Sequence, residues 1–138
     1  MSDFELDPRS CLIGVMVFMS AADRNMTDKE LFVIGDIVKT LPVFRDFDEN
    51  KLISTAQAAA AMLEKAGSLE AAIAVINESL PKRLHETAYC VACEVAAADG
   101  QVALEEMRAL EIMRDGLGID RLTSAAIERG VRARYTSL

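Results

Sequence analysis

Tryptophan is absent, proline occurs three times, histidine once, and aromatic residues make up only 5% of the chain. A β-sandwich leans on aromatic and β-branched strands with frequent turn residues, so this composition argues against one. Cysteine is scarce as well: three residues, an odd number at no disulfide-framework spacing, which fits reduced thiols in a reducing compartment. Basic residues are outnumbered, 15 Lys and Arg against 22 Asp and Glu, for a net charge of −7. Binding nucleic-acid phosphates needs a clustered cationic excess that this chain lacks. Long apolar runs are missing too. The stretch from Cys11 to Ala22 falls short of the ~20 residues that span a bilayer. It also has neither the basic lead nor the cleavage-like end of a secretory signal. The expectation is a cytoplasmic protein with no membrane span and no nucleic-acid partner.

What is present is helix-forming. Ala, Leu, Met and Glu are abundant, half of the 138 residues are apolar, and the length suits one domain, residues 1–138, with a core of its own. Periodicity and start and stop signals predict an all-α protein, a compact bundle of about seven helices. Asp7-Pro8 sets an N-cap before a proline at the first helical position, opening a helix to about Ala22. A second starts at Thr27, carries Leu31, Ile34, Val38 and Leu41 on one face, and cannot pass Pro42.

After a turn over Phe44 to Phe47, a third helix runs from near Asp48 to Gly67, with Leu52, Ala56, Ala59, Ala60 and Leu63 at helical spacing. Ser68 caps the fourth, which ends near Leu80. The fifth runs from Pro81 to about Ala98 on a stripe of Leu84, Ala88, Val91 and Val95. The sixth spans Ala103 to Leu117, stopping at Gly116 and Gly118, and the seventh runs from Asp120 to about Tyr135. Helices 1 and 5 are apolar nearly all round, with Glu94 the sole charge between Glu86 and Asp99, and belong in the centre. Short connections make consecutive helices packed neighbours.

One phrase is written twice. Ala21-Ala22-Asp23-Arg24-Asn25-Met26-Thr27-Asp28-Lys29-Glu30 corresponds to Ala97-Ala98-Asp99-Gly100-Gln101-Val102-Ala103-Leu104-Glu105-Glu106. In each copy an apolar helix stops at Asp, and Glu follows seven positions on as a new helix begins. This internal pseudo-repeat of helix, acidic elbow and helix would gather Asp23, Glu30, Asp99 and Glu106 at one end of the bundle if its halves pack as mates. Clustered carboxylates resist joint ionisation unless a cation compensates them, and such oxygen donors suit Ca²⁺, Mg²⁺ or Mn²⁺. The spacing is too short for an EF-hand, and one loop holds too few oxygens for a Ca²⁺ shell.

Glu30 has a second role open to it, as the closing residue of a Thr27-Asp28-Lys29-Glu30 capping box. Asp23 can likewise bond free amides in its elbow. Ala103 has no side chain with which to cap, so capping is expected to explain Glu106 less well. Glu106 also gains from the helix N-terminus.

Other residues fit structural duties. Cys90 and Cys93 form a C-x-x-C within an apolar helix rather than after a strand, and only Cys11 and His85 remain as soft ligands for a tetrahedral site. They are expected to be buried and unreactive. His85 is expected on a polar or partner-facing surface, with no nucleophile near it in sequence. Glu94 needs a partner, such as an Arg, or membership of the acidic site. Arg121, Arg129, Arg132 and Arg134, against Glu128, make the last helix locally basic, as a solvated face or as a contact for acidic lipids or a protein partner. Met16, Met19, Met62, Met107 and Met113 are expected to fill the core.

The two elbows, the Phe44 to Asp48 connector, Gly67-Ser68-Leu69-Glu70-Ala71-Ala72, Leu80-Pro81, Ala96-Ala97-Ala98-Asp99-Gly100 and Leu117-Gly118-Ile119-Asp120 together resemble a TerB-type tellurite-resistance protein. The same domain type resembles one in a membrane-anchored DnaJ-type co-chaperone. The resemblance covers about residues 8 to 135. It implies an all-helical cytoplasmic protein of stress or tellurite resistance, with no established reaction and a divalent-metal site at Asp23, Glu30, Asp99 and Glu106. Arg24 departs from the pattern where Gly is usual, and Ala103 where a polar cap is usual.

No Gly-rich phosphate loop, HExxH or Ser/His/Asp set is visible, so no enzyme is expected. The leading expectation is a non-catalytic protein that binds protein partners, with a divalent cation at its elbows as the cofactor. A helical adaptor without metal and a metal-dependent hydrolase are the alternatives.

Overall fold

The structure is a computed structural model that describes residues 7–22, 27–98, 100 and 102–138. Seven α-helices and no strand occur among these: α1 (Pro8–Ala21), α2 (Asp28–Thr40), α3 (Leu52–Ala66), α4 (Leu69–Ser79), α5 (His85–Ala96), α6 (Leu104–Gly116) and α7 (Arg121–Tyr135). Single 3₁₀ turns at Pro42–Phe44, Glu49–Lys51 and Lys82–Leu84 fill the connectors after α2, before α3 and before α5.

Most boundaries follow from side-chain chemistry at the ends. Asp7 Oδ1 accepts the Ser10 amide at 3.0 Å and its Oδ2 the Ser10 hydroxyl at 2.8 Å, fixing the start of α1. Ser68 Oγ accepts the Ala71 amide, and Asp120 Oδ1 the Thr123 amide at 2.8 Å, at the starts of α4 and α7. The end of α6 is a Schellman turn: the Ile119 amide reaches back to the Arg114 carbonyl, the Gly118 amide to that of Asp115, and Gly118 takes φ +68°. A side chain would strain that position.

α1 is buried without a break from Ser10 to Ser20, and α5 from Val91 to Ala96. Over these spans neither has a wet face, as their nearly charge-free sequences require; in α5 only Glu86, in the first turn, is exposed. α1 packs on α3, α5, α4, α6 and α2, and α5 packs on α1, α7, α2 and α6, so these two helices form the centre around which the rest are laid. Met16, Met19, Phe18, Tyr89 and Met113 are among the largest fully buried side chains. Burying each such group contributes ~1.5–3 kcal/mol. α4 and α6 approach closely at Gly116, where a Cβ would stand 2.5 Å from Ile73 Cγ2.

The connector after α2 is tied back to α1. The Arg9 guanidinium donates to the Val43 carbonyl at 2.9 Å and to the Arg45 carbonyl, while Phe44 is buried edge-on against Phe47. The sequence placed Leu31 on the buried face of α2 and Met107 in the core, and both are exposed. The buried row of α2 is Glu30, Val33, Ile34, Ile37 and Val38, one position round from Leu31.

Candidate cation site at the helix elbows

α1 ends at Ala21 and α5 at Ala96; the chain then turns into α2 and α6. Asp23, Arg24 and Asp99 lie outside the described residues; their glutamate counterparts do not. Thr27 Oγ1 accepts the Glu30 amide at 3.1 Å, and Glu30 Oε1 accepts the Thr27 amide at 2.9 Å, a complete capping box. In the second elbow Glu106 Oε1 accepts the Ala103 amide at 3.1 Å. Capping therefore explains Glu106 better than the sequence suggested. The return half of the box needs only a backbone N–H, which alanine has, and only the forward half is missing. Gly100, at φ +80°, donates its amide to the Ala97 carbonyl at 2.9 Å and turns the chain out of α5.

Both glutamates occupy the same position relative to the core. Glu30 opens the buried row of α2, and Glu106 opens that of α6 ahead of Ala109, Met113 and Leu117. Their exposures are 0% and 4%. A capping glutamate ordinarily sits at the surface, whereas these are turned into the protein at the head of an apolar row.

The first turns of α2 and Ala98, just past the end of α5, face a common groove. A groove of about 550 Å³ is lined by Asp28, Lys29, Phe32, Val33 and Asp36 of α2, by Ala98 of the second elbow, and by Arg134 and Tyr135. α2 and Ala98 thus line the same groove as the end of α7. Phe32, 74% exposed, was not singled out in the sequence. The signal was available: Leu31 and Phe32 are adjacent, and with Val33 and Ile34 they make an apolar run too wide for one buried face.

Among the described residues no three His, Cys, Asp or Glu side chains are grouped to hold a metal ion; Asp23 and Asp99 are outside that set. What is in place is an oxygen donor in each elbow, of the class that suits Ca²⁺, Mg²⁺ or Mn²⁺.

The family model described as tellurite resistance protein TerB matches residues 9–129. The chain belongs to the TerB family. No match was found to a curated protein or to a solved structure. The TerB match takes in both elbows, α1 from its second residue, all of α2 to α6, and α7 as far as Arg129. No helix among the described residues is long and apolar enough to cross a membrane.

The remaining candidates of this TerB-family chain resolve into structural parts. Glu94 is buried and accepts from Arg134 Nε at 3.0 Å and from the Tyr135 hydroxyl at 3.3 Å, the Arg partner that its position demanded. Its pair borders the groove, since Arg134 and Tyr135 line it. Cys11 and Cys93 are buried and Cys90 half-buried. Burial pushes the Cys11 thiol up to about 11, with Asp7 adding to the effect, and the Cys93 thiol up to about 12, with Glu128 adding. Cys90 is raised too, again chiefly by burial. Thiols so held stay protonated and are poor nucleophiles and ligands.

His85 departs from expectation. It is buried, with Nε2 2.9 Å from the Leu80 carbonyl oxygen and Nδ1 3.2 Å from that of Leu117. Its place at the first turn of α5, beside the ends of α4 and α6, makes it an internal tie rather than a surface contact. Met16, Met19 and Met113 fill the core, and Met62 packs against it from a half-buried position.

Proposed function

We propose that the protein is a non-catalytic TerB-type binding module of stress or tellurite resistance, in which Asp23 and Glu30 of one elbow and Asp99 and Glu106 of the other hold a divalent cation. The observation that supports this most is the pair of glutamates, each buried at the head of an apolar helix row. Each accepts the amide of its own cap residue, and a carboxylate oxygen at the start of both α2 and α6 is a donor of the class that hard divalent cations take. Asp99 follows Ala98 directly in the chain, and Ala98 lines the cleft shared with α2. The cation would neutralise the elbows and fix the angle between each helix pair.

Capping alone supports the adaptor reading. Leu31, Phe32, Leu104 and Met107 also favour it, as exposed apolar side chains on the helices that leave the elbows. In both readings the activity is binding to a protein partner, and they differ in whether a metal sets the surface.

Thermal melts with Ca²⁺, Mg²⁺, Mn²⁺ and Zn²⁺ separate them, because a ligand that prefers the folded state raises its stability by mass action. An upward shift with a hard cation that disappears in Asp23→Ala/Asp99→Ala supports the metal site. No shift at millimolar cation leaves the adaptor.

A further inference from the structure

α7 carries four arginines and one glutamate in a chain whose net charge is −7. It packs chiefly on α5, which leaves its other side to solvent. Glu128, its only acid, is half-buried and accepts a 2.5 Å hydrogen bond from the Tyr89 hydroxyl of α5. Arg134 is engaged by Glu94. Arg121, Arg129 and Arg132 are exposed and form no ion pair among the described residues. Successive residues of a helix turn by ~100°, which brings these three within one side of α7, along ~16 Å of its length. Ala125, also exposed, stands between them on the helix surface, and the exposed Leu122 borders the same side next to Arg129.

We infer that this face of α7 is a docking surface for an acidic helical segment of a partner protein. Charge chooses the occupant. An anionic membrane or a nucleic acid presents an extended field that would repel the rest of this acidic molecule, whereas a slender acidic helix meets only α7. A membrane-surface helix also sets large apolar side chains beside its cations, and here Leu122 is the only one exposed on α7. The small side chain of Ala125 lets a partner helix approach between the arginines, and carboxylates at helical spacing would receive the planar guanidinium forks. The inference names a partner class for the binding role proposed above and is independent of any metal at the elbows.

The test uses the full chain and a labelled alanine-based helical peptide with glutamate at every fourth position, at low ionic strength. Fluorescence anisotropy should detect binding that weakens as salt is added. Arg121→Glu/Arg129→Glu/Arg132→Glu should lower the affinity about tenfold or more, and the milder Arg→Gln triple should lower it less. Lys39→Glu/Lys65→Glu/Lys82→Glu should leave it unchanged. No peptide binding, equal loss in the arginine and lysine triples, or binding of phosphatidylserine-containing vesicles in place of the peptide would overturn the proposal. Retained affinity for the peptide in the melts' metal-blind variant Asp23→Ala/Asp99→Ala keeps this result separate from the cation question.

Discussion

The imidazole of His85 and the carbonyl oxygen of Leu117, separated by 32 residues in sequence, meet at 3.2 Å inside the protein. Leu117 closes α6, and the other ring nitrogen faces Leu80, which closes α4, so one side chain ties the ends of two helices to the start of α5. His85→Ala would take the ring N–H donor from one of these two carbonyls and open a cavity between them. The expected loss is ~2–4 kcal/mol, read by urea denaturation. A loss under ~1 kcal/mol would mean that the ring is not a tie.

Glu94 and Arg134 should couple in a way that depends on which partner is removed. Arg134→Ala leaves a buried carboxylate with the Tyr135 hydroxyl as its remaining side-chain donor among the described residues and should destabilise by ~1–2 kcal/mol, toward the low end because the Arg134 side chain is 65% exposed. Glu94→Leu in the Arg134→Ala background should recover much of that, since no charge remains to be desolvated. Chemical denaturation of the two single variants and the double variant measures the coupling. Additive losses would count against it.

Ala103→Ser should stabilise the protein. Ala103 already has cap geometry, φ −66° and ψ 159°, and its amide already donates to Glu106. A serine hydroxyl would complete the box that Thr27 and Glu30 form in the first elbow, for a gain of ~0.5–1 kcal/mol. An unchanged denaturation midpoint would show that the second elbow cannot accept the bond.

Alkali should unfold the protein through its buried acids. The folded state holds Cys11, Cys93 and Tyr89 in their protonated forms, chiefly because burial disfavours the thiolate and phenolate. The stability this gives is complete below the ordinary thiol value of 9.0 and is lost as pH rises toward about 11 for Cys11 and about 12 for Cys93. Circular dichroism across that range should show the loss. Iodoacetamide near pH 9 should modify the folded protein far more slowly than the urea-unfolded chain. Equal rates would refute the protection.

The helical frame was legible because its signals are local. Pro8, Pro42, Ser68, Gly118 and Asp120 each act within a turn of where they sit, and the near absence of charge in α1 and α5 announced their central place. Leu31 and Met107 misled because each lies about one helix position from a buried row, and sequence periodicity does not fix the edge of that row. His85 could not be placed from sequence, since its partners are the backbone carbonyls of two other connectors. The glutamates carried a signal that periodicity could have used: Glu30 and Glu106 each stand three residues ahead of an apolar row and in register with it. Their burial depends on how α2 and α6 lie against the central pair.

The central claim is a cation held between two elbows, and Mn²⁺ broadening of the amide NMR signals tests it directly, because a paramagnetic ion marks the residues around it. Titration into the full chain should broaden the signals of residues 27–30 and 103–106 together and first, and Asp23→Ala/Asp99→Ala should abolish the effect. Broadening confined to other acidic surfaces, or none at millimolar Mn²⁺, would contradict the cation site and leave the two buried glutamates as caps.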